Sequence, residues 1–181
     1  MPTTTVKFTY QDYLHLPEDR RYELIEGELF MVPSPLTYHQ EVSGNLDFIV
    51  REFVKKRGLG KVFSAPTDVV LSNEDVVQPD IFFIEKGRLG IIKEKNIQGA
   101  PDLIVEILSP SLRYRDKVHK KKLYQKYGVK EYWIVDPQKR QIEHLWLEEG
   151  GYRTIGIYGL EDTIESPMLK GLKVMLREVF L

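Results

Sequence analysis

The chain has 181 residues, with 26 Lys and Arg against 27 Asp and Glu for a formal net charge of -1; it therefore lacks the strongly basic balance of a constitutive, non-specific nucleic-acid binder. It contains no cysteine, which excludes disulfide frameworks, thiolate zinc sites and thiol nucleophiles. Its length and ordinary apolar content fit one domain over residues 1–181, and without a leader-like or membrane-length apolar run the chain is expected in the cytoplasm and off the membrane.

Thr9 with Asp12 ahead of Tyr13 and Leu14 predicts a short capped helix that ends before Pro17. Arg21 to Ile25 and Glu28 to Val32 flank Glu26-Gly27 and read as an antiparallel hairpin. Thr37 and Gln40 have the spacing of a capping box, and Val42, Leu46, Ile49, Val50 and Phe53 then recur at helical spacing until Gly58 and Gly60. His39 falls on the inward stripe of that helix. Lys61 to Ser64 and Asp68 to Leu71 read as strands, with Ser72 to Asp75 as the turn before the strand that Asp80 opens. Leu103 to Leu108 is a buried strand, and Ser109-Pro110-Ser111 starts a helix from about Arg113 to Tyr127 that Gly128 closes. Tyr132 to Val135 is a further apolar strand. Ile142 to Leu147 and Tyr152 to Tyr158 form a meander, and the C-terminal apolar residues pack as a last strand or helix. The order strand, helix, strand at the centre, with hairpins on either side, gives an α/β or α+β fold with a mixed sheet.

Within the buried run sits Glu106, a carboxylate among apolar neighbours that needs a cation or hydrogen-bond donors. Strand alternation puts Asp102 on the same face, but at about 3.3 Å per residue the two lie roughly 13 Å apart, too far to share one metal ion. A turn or capping role suits Asp102 better. Asp80, on what should be a neighbouring strand, is the better partner, and two such carboxylates suit Mg²⁺ or Mn²⁺. Four scattered histidines without ligand spacing argue against zinc. On the following helix, Leu123, Tyr124 and Tyr127 define an inward stripe, and the same spacing carried backward lands on Lys120 and Asp116. Lys120 is thereby separated from Lys121, Lys122 and Lys126, which belong to a solvated basic face. A plain buried ion pair between Glu106 and Lys120 is the structural alternative. Glu23 in the hairpin reads equally as a surface pair or a further acidic ligand.

These residues resemble a known family. Tyr22-Glu23-Leu24-Ile25-Glu26-Gly27-Glu28-Leu29, the Pro33-Ser34-Pro35 turn before His39, Pro79-Asp80, the block from Gly99 to Ser111, Asp116 with Lys120 and Tyr124, and the block from Gly128 to Pro137 are similar to the Uma-two family. This is a bacterial group of proposed endonucleases in the PD-(D/E)XK, or restriction-endonuclease-like, superfamily. The resemblance implies a mixed central β-sheet flanked by helices, with N-terminal and C-terminal hairpins and an acidic metal site on adjacent strands. It implies Asp80 and Glu106 as Mg²⁺ or Mn²⁺ ligands and metal-dependent hydrolysis of DNA phosphodiester bonds. Where the superfamily pattern has a lysine two residues after the glutamate, this chain has Leu108, and the resemblance implies Lys120 as its replacement. Glu23 would be an auxiliary acid, and His39 and Tyr124 substrate-side residues. A homodimer is expected, because two DNA strands need two sites. The alternative function is a nuclease-like fold without activity that binds nucleic acid or regulates.

Overall fold

A computed structural model describes residues 6–110 and 115–181, the side chains of 115–117 excepted. Helix α1 (Tyr10–Tyr13) starts on the expected box, with Thr9 Oγ1 accepting from the Asp12 N–H and Asp12 Oδ2 accepting from the Thr9 N–H. Strands β1 (Arg21–Ile25) and β2 (Glu28–Val32) form the expected hairpin. Glu26 and Gly27 both have positive φ, 53° and 79°, as a tight turn matching strand twist requires. Gly27 also admits Lys7, whose Cβ would lie 2.8 Å from any Cβ added there.

Helix α2 (Thr37–Arg57) differs from the sequence reading at its start. Leu36, in extended conformation, is the N-cap and makes no side-chain cap bond. Thr37 is already the first helical residue, so it does not form the expected box with Gln40. The helix begins one residue earlier than that box requires, with the Gln40 N–H bonded to the Leu36 carbonyl. At the other end Gly58 takes the left-handed conformation that closes a helix.

Strands β3 (Gly60–Ser64) and β4 (Val69–Ser72) follow, and the expected turn at Ser72 to Asp75 is shorter than read, because Asp75 opens a three-residue strand, β5 (Asp75–Val77). Next come β6 (Ile81–Glu85), a 3-10 turn at Lys86–Ile91, the two-residue β7 (Ile97–Gln98) and β8 (Leu103–Ile107). A π-helical stretch, Arg115–Lys120, runs into α3 (Lys121–Lys126). Residues 111–114, which hold part of the expected start signal, lie outside the described residues. Beyond α3 lie β9 (Glu131–Asp136), β10 (Gln141–Glu148), β11 (Gly151–Tyr158), β12 (Thr163–Glu165), β13 (Lys173–Met175) and α4 (Leu176–Val179).

The central sheet has the order β11-β10-β9-β8-β6-β3, mixed because β8 and β9 run parallel while its other pairs are antiparallel. A second sheet has the order β2-β1-β5-β4-β7. Strand alternation then sorts the core. Ile81, Phe83, Leu103, Val105, Ile107, Trp133 and Val135 face α2 and the C-terminal elements. Phe82, Ile84, Ile104, Leu108, Tyr132 and Ile134 face the second sheet and α3. Each such side chain, fully buried, contributes about 1.5–3 kcal/mol, so α2, the central sheet and the second sheet are held as stacked layers. Among the described residues no helix is long and apolar enough to cross a membrane.

Candidate active site

Glu106 lies near the C-terminal end of β8 and is 3% exposed. Its Oε1 accepts from Lys120 Nζ at 2.8 Å and from the Tyr124 hydroxyl at 2.5 Å. Lys120, also 3% exposed, donates to Glu23 Oε1 at 2.8 Å. Residues 120 and 124 are one helical turn apart, so they reach the same carboxylate from the same face. Glu23 gets there by parity. It shares the inward face of β1 with Ile25, which packs in the core between the two sheets. Glu23 Oε1 also accepts the Gln78 N–H at 2.9 Å. One ammonium is thus clasped between carboxylates from the two sheets, the arrangement that makes a buried charge tolerable. Burial first, and then the Glu106 charge, hold the Tyr124 hydroxyl well above its ordinary pKa. It remains a protonated donor to Glu106.

Asp80 stands one residue before β6. The β6–β8 register pairs Ile81 with Val105; carried one step further, it puts position 80 across from position 106, where opposite residues share a face with Cβ atoms about 4.5–5.5 Å apart. Asp80 Oδ2 accepts the Ile107 N–H at 2.7 Å, and Oδ1 lies 3.1 Å from His39 Nε2 in the first turn of α2. His39 Nδ1 is buried without a hydrogen-bond partner among the described residues.

Glu23, His39, Asp80, Glu106 and Lys120 all line one cleft of about 420 Å³, whose walls include Val32 to Leu36, Ser43, Gly44 and Pro110. Tyr124 sits behind it, fully buried. Six of the seven residues singled out in the sequence therefore converge. The side chain of the seventh, Asp116, lies outside the described residues; position 116 falls in the π-helical stretch, through which a 3.6-residue stripe does not carry. Asp102 lies elsewhere, accepting from the Glu85 N–H at 2.8 Å and from Arg88 Nη1 at 2.6 Å. Leu108, in place of the superfamily lysine, is 3% exposed in the apolar core. Sequence reasoning passed over Arg21 and Gln78, which line the same cleft. Arg21 was visible through its strand parity with Glu23, whereas Gln78 carried no signal.

The formal charges of Glu23, Asp80 and Glu106 outnumber those of Lys120 and Arg21, so the cleft favours a further cation. Among the described residues no three Asp, Glu or His side chains are arranged as a metal cage. Two carboxylates facing one cleft suit a hard divalent ion that keeps much of its water. They do not suit zinc held by a full set of protein ligands.

The comparisons with known proteins agree with this architecture. The chain is similar over 96% of its length, with a TM-score of 0.81 and 20% identity, to the crystal structure of "a putative nuclease belonging to DUF820" from Anabaena variabilis, of which it covers 97%. No curated protein matches the chain. The Uma2 (Uma-two) family profile, described as "Putative restriction endonuclease", matches residues 10–177, and the chain belongs to that family.

Proposed function

We propose that this protein is a divalent-metal-dependent endonuclease that hydrolyses DNA phosphodiester bonds. The observation that carries the reading is the opposed pair Asp80 and Glu106 on one cleft, with Lys120 bonded to Glu106. Asp80 and Glu106 would hold Mg²⁺ or Mn²⁺. When bound, such an ion supplies Lewis-acid polarisation of the phosphate and acidifies a water. The chain's own residues do the rest. The Ile107 N–H and His39 fix the Asp80 carboxylate, Tyr124 fixes Glu106, and Lys120 brings its ammonium to the cleft, where negative charge builds up on the phosphoryl oxygens. Glu23 keeps Lys120 in place from the second sheet.

The test is supercoiled-plasmid cleavage in Mn²⁺ or Mg²⁺, with Asp80→Asn and Glu106→Gln alongside metal titration by calorimetry. Metal-dependent cleavage and ion binding, both lost in Asp80→Asn, are expected; metal-independent cleavage, or cleavage unaffected by either substitution, overturns the reading. One observation favours a second reading, a non-catalytic nucleic-acid-binding or regulatory module: Lys120 is engaged by two carboxylates and almost wholly buried. DNA binding without cleavage or ion uptake would select it. A homodimer belongs to the leading reading, since cutting both strands takes two clefts, and sedimentation equilibrium decides it.

A further inference from the structure

Arg21 shares the inward face of β1 with Glu23, about 7 Å along the strand, and reaches the same cleft. Its Nε donates to Gln78 Oε1 at 2.8 Å. The orientation of that amide is dictated from its other side. Gln78 Nε2 donates to Asp68 Oδ1 at 2.7 Å, and a carboxylate can only accept, so Oε1 is left to face Arg21. Asp68 is itself fixed by the Tyr13 hydroxyl at 2.8 Å, which also bonds the Tyr22 carbonyl at 3.1 Å. The Gln78 backbone N–H meanwhile holds Glu23 Oε1. A single residue thus sets the position of a guanidinium relative to the acid cluster.

Among the described residues no carboxylate lies within ion-pair distance of Arg21, unlike Arg51, which Asp47 grips on the opposite wall. Nε is committed to Gln78, and among the described residues the two terminal nitrogens of Arg21 keep their four N–H donors. A planar fork with one edge anchored and the other free matches two oxygens of a phosphodiester. We propose that Arg21, oriented by Gln78, binds a backbone phosphate of duplex DNA and positions the strand over Asp80 and Glu106. The proposal rests on the nuclease reading for its ligand but assigns Arg21 to binding, so the two can fail separately.

Fluorescence anisotropy with a short DNA duplex, in EDTA and over a salt series, tests it. Arg21→Ala should weaken binding about tenfold and lower the slope of log K against log salt by about 1. Arg21→Lys, which keeps the charge without the fork, should restore the slope but only part of the affinity. Gln78→Leu should lose affinity at unchanged slope, because the charge remains and its orientation does not. In cleavage assays Arg21→Ala should raise KM with little change in kcat. Wild-type affinity and slope in folded Arg21→Ala overturn the proposal, as does a wild-type protein that does not bind the duplex. If Arg21→Ala fails to fold, full wild-type affinity in Arg21→Lys overturns it. Arg21-dependent binding without metal-dependent cleavage would instead sink the nuclease reading and leave this one standing.

Discussion

Two glutamates on adjacent parallel strands are buried in opposite ways. Glu106 on β8 faces the second sheet and is held by Lys120 and Tyr124 at the edge of a cleft. Glu131 on β9 faces the other core, fully buried: its Oε1 meets Trp133 Nε1 at 2.8 Å and His144 Nε2 at 2.7 Å, and its Oε2 accepts from Ser166 Oγ at 2.8 Å and the Met168 N–H at 3.1 Å. Fixed donors surround Glu131 and tie β9, β10 and the segment before β13 together, so its carboxylate works as a staple. Among the described residues Glu106 meets the ammonium of Lys120, which it shares with Glu23, and it lines an open cleft. Burial of an acid alone therefore does not mark a reactive site. What separates Glu106 from Glu131 is a cationic partner and a place on the cleft wall.

The largest expected effect lies in the sealed cluster. Glu131→Ala strands several buried donors and should cost about 3–5 kcal/mol in urea unfolding, while cleavage at low temperature, if the protein is a nuclease, stays near wild type. A selective loss of cleavage in a fully stable Glu131→Ala would erase the distinction between the two glutamates. Next is Glu106→Gln, which keeps the shape and an acceptor for Tyr124. Cleavage should fall about 10²–10³-fold, measured as initial plasmid-nicking rates, with a smaller loss of stability than Glu131→Ala.

Tyr124→Phe probes the support of the open cluster. Removing a buried hydrogen bond to a charged acceptor should cost about 1.5–3 kcal/mol. The same hydroxyl has a pH signature. Its folded pKa is raised above the unfolded value of about 10, so its stabilisation is complete below pH 10 and is lost as pH rises toward the folded value. Wild-type protein should lose stability above pH 10 more steeply than Tyr124→Phe. Equal alkaline slopes would show that burial and the Glu106 charge do not raise the Tyr124 pKa on folding.

Much of the open cluster was legible because it obeys local periodicities. Lys120 and Tyr124 stand one turn apart, Glu23 alternates with Ile25, and Asp80 precedes a strand that pairs with the strand of Glu106. The N-terminal hairpin and α2 were legible for the same reason. What lay hidden depends on tertiary context. The Thr37 box failed because the helix starts one residue early, with Leu36 as its N-cap. β5 is three residues long and shows no period, and the π-helical stretch breaks the stripe behind Lys120. Glu131 sat in a strand whose partners, His144 and Ser166, come from elements that carry no spacing relation to it. Gln78 lacks any motif, since its contacts with Tyr13, Arg21 and Glu23 are made across the fold.

A third buried acid lies between the two cases and sets the smallest expected effect. Asp75, 1% exposed, accepts from the Glu26 N–H at 2.7 Å, from Ser72 Oγ at 3.1 Å and from the Tyr127 hydroxyl at 2.6 Å, with Lys126 at 3.4 Å. It joins the β1–β2 turn, just beyond the strand that carries Glu23, to the C-terminal end of α3, the helix that continues from Lys120. Burial opposes its charge, but the bonds from Tyr127, Glu26 and Ser72, with the Lys126 charge, outweigh it and leave the pKa below the ordinary aspartate value. On acidification the unfolded chain therefore takes up the proton first, so the stabilisation is present above the unfolded pKa of about 3.9 and is lost as pH falls through the folded value. Asp75→Asn should flatten the wild-type loss of stability in that acid range, read from thermal midpoints at successive pH values, and leave the curve near neutrality parallel to wild type. An unchanged acid slope would mean that this joint holds by packing and neutral bonds rather than by charge.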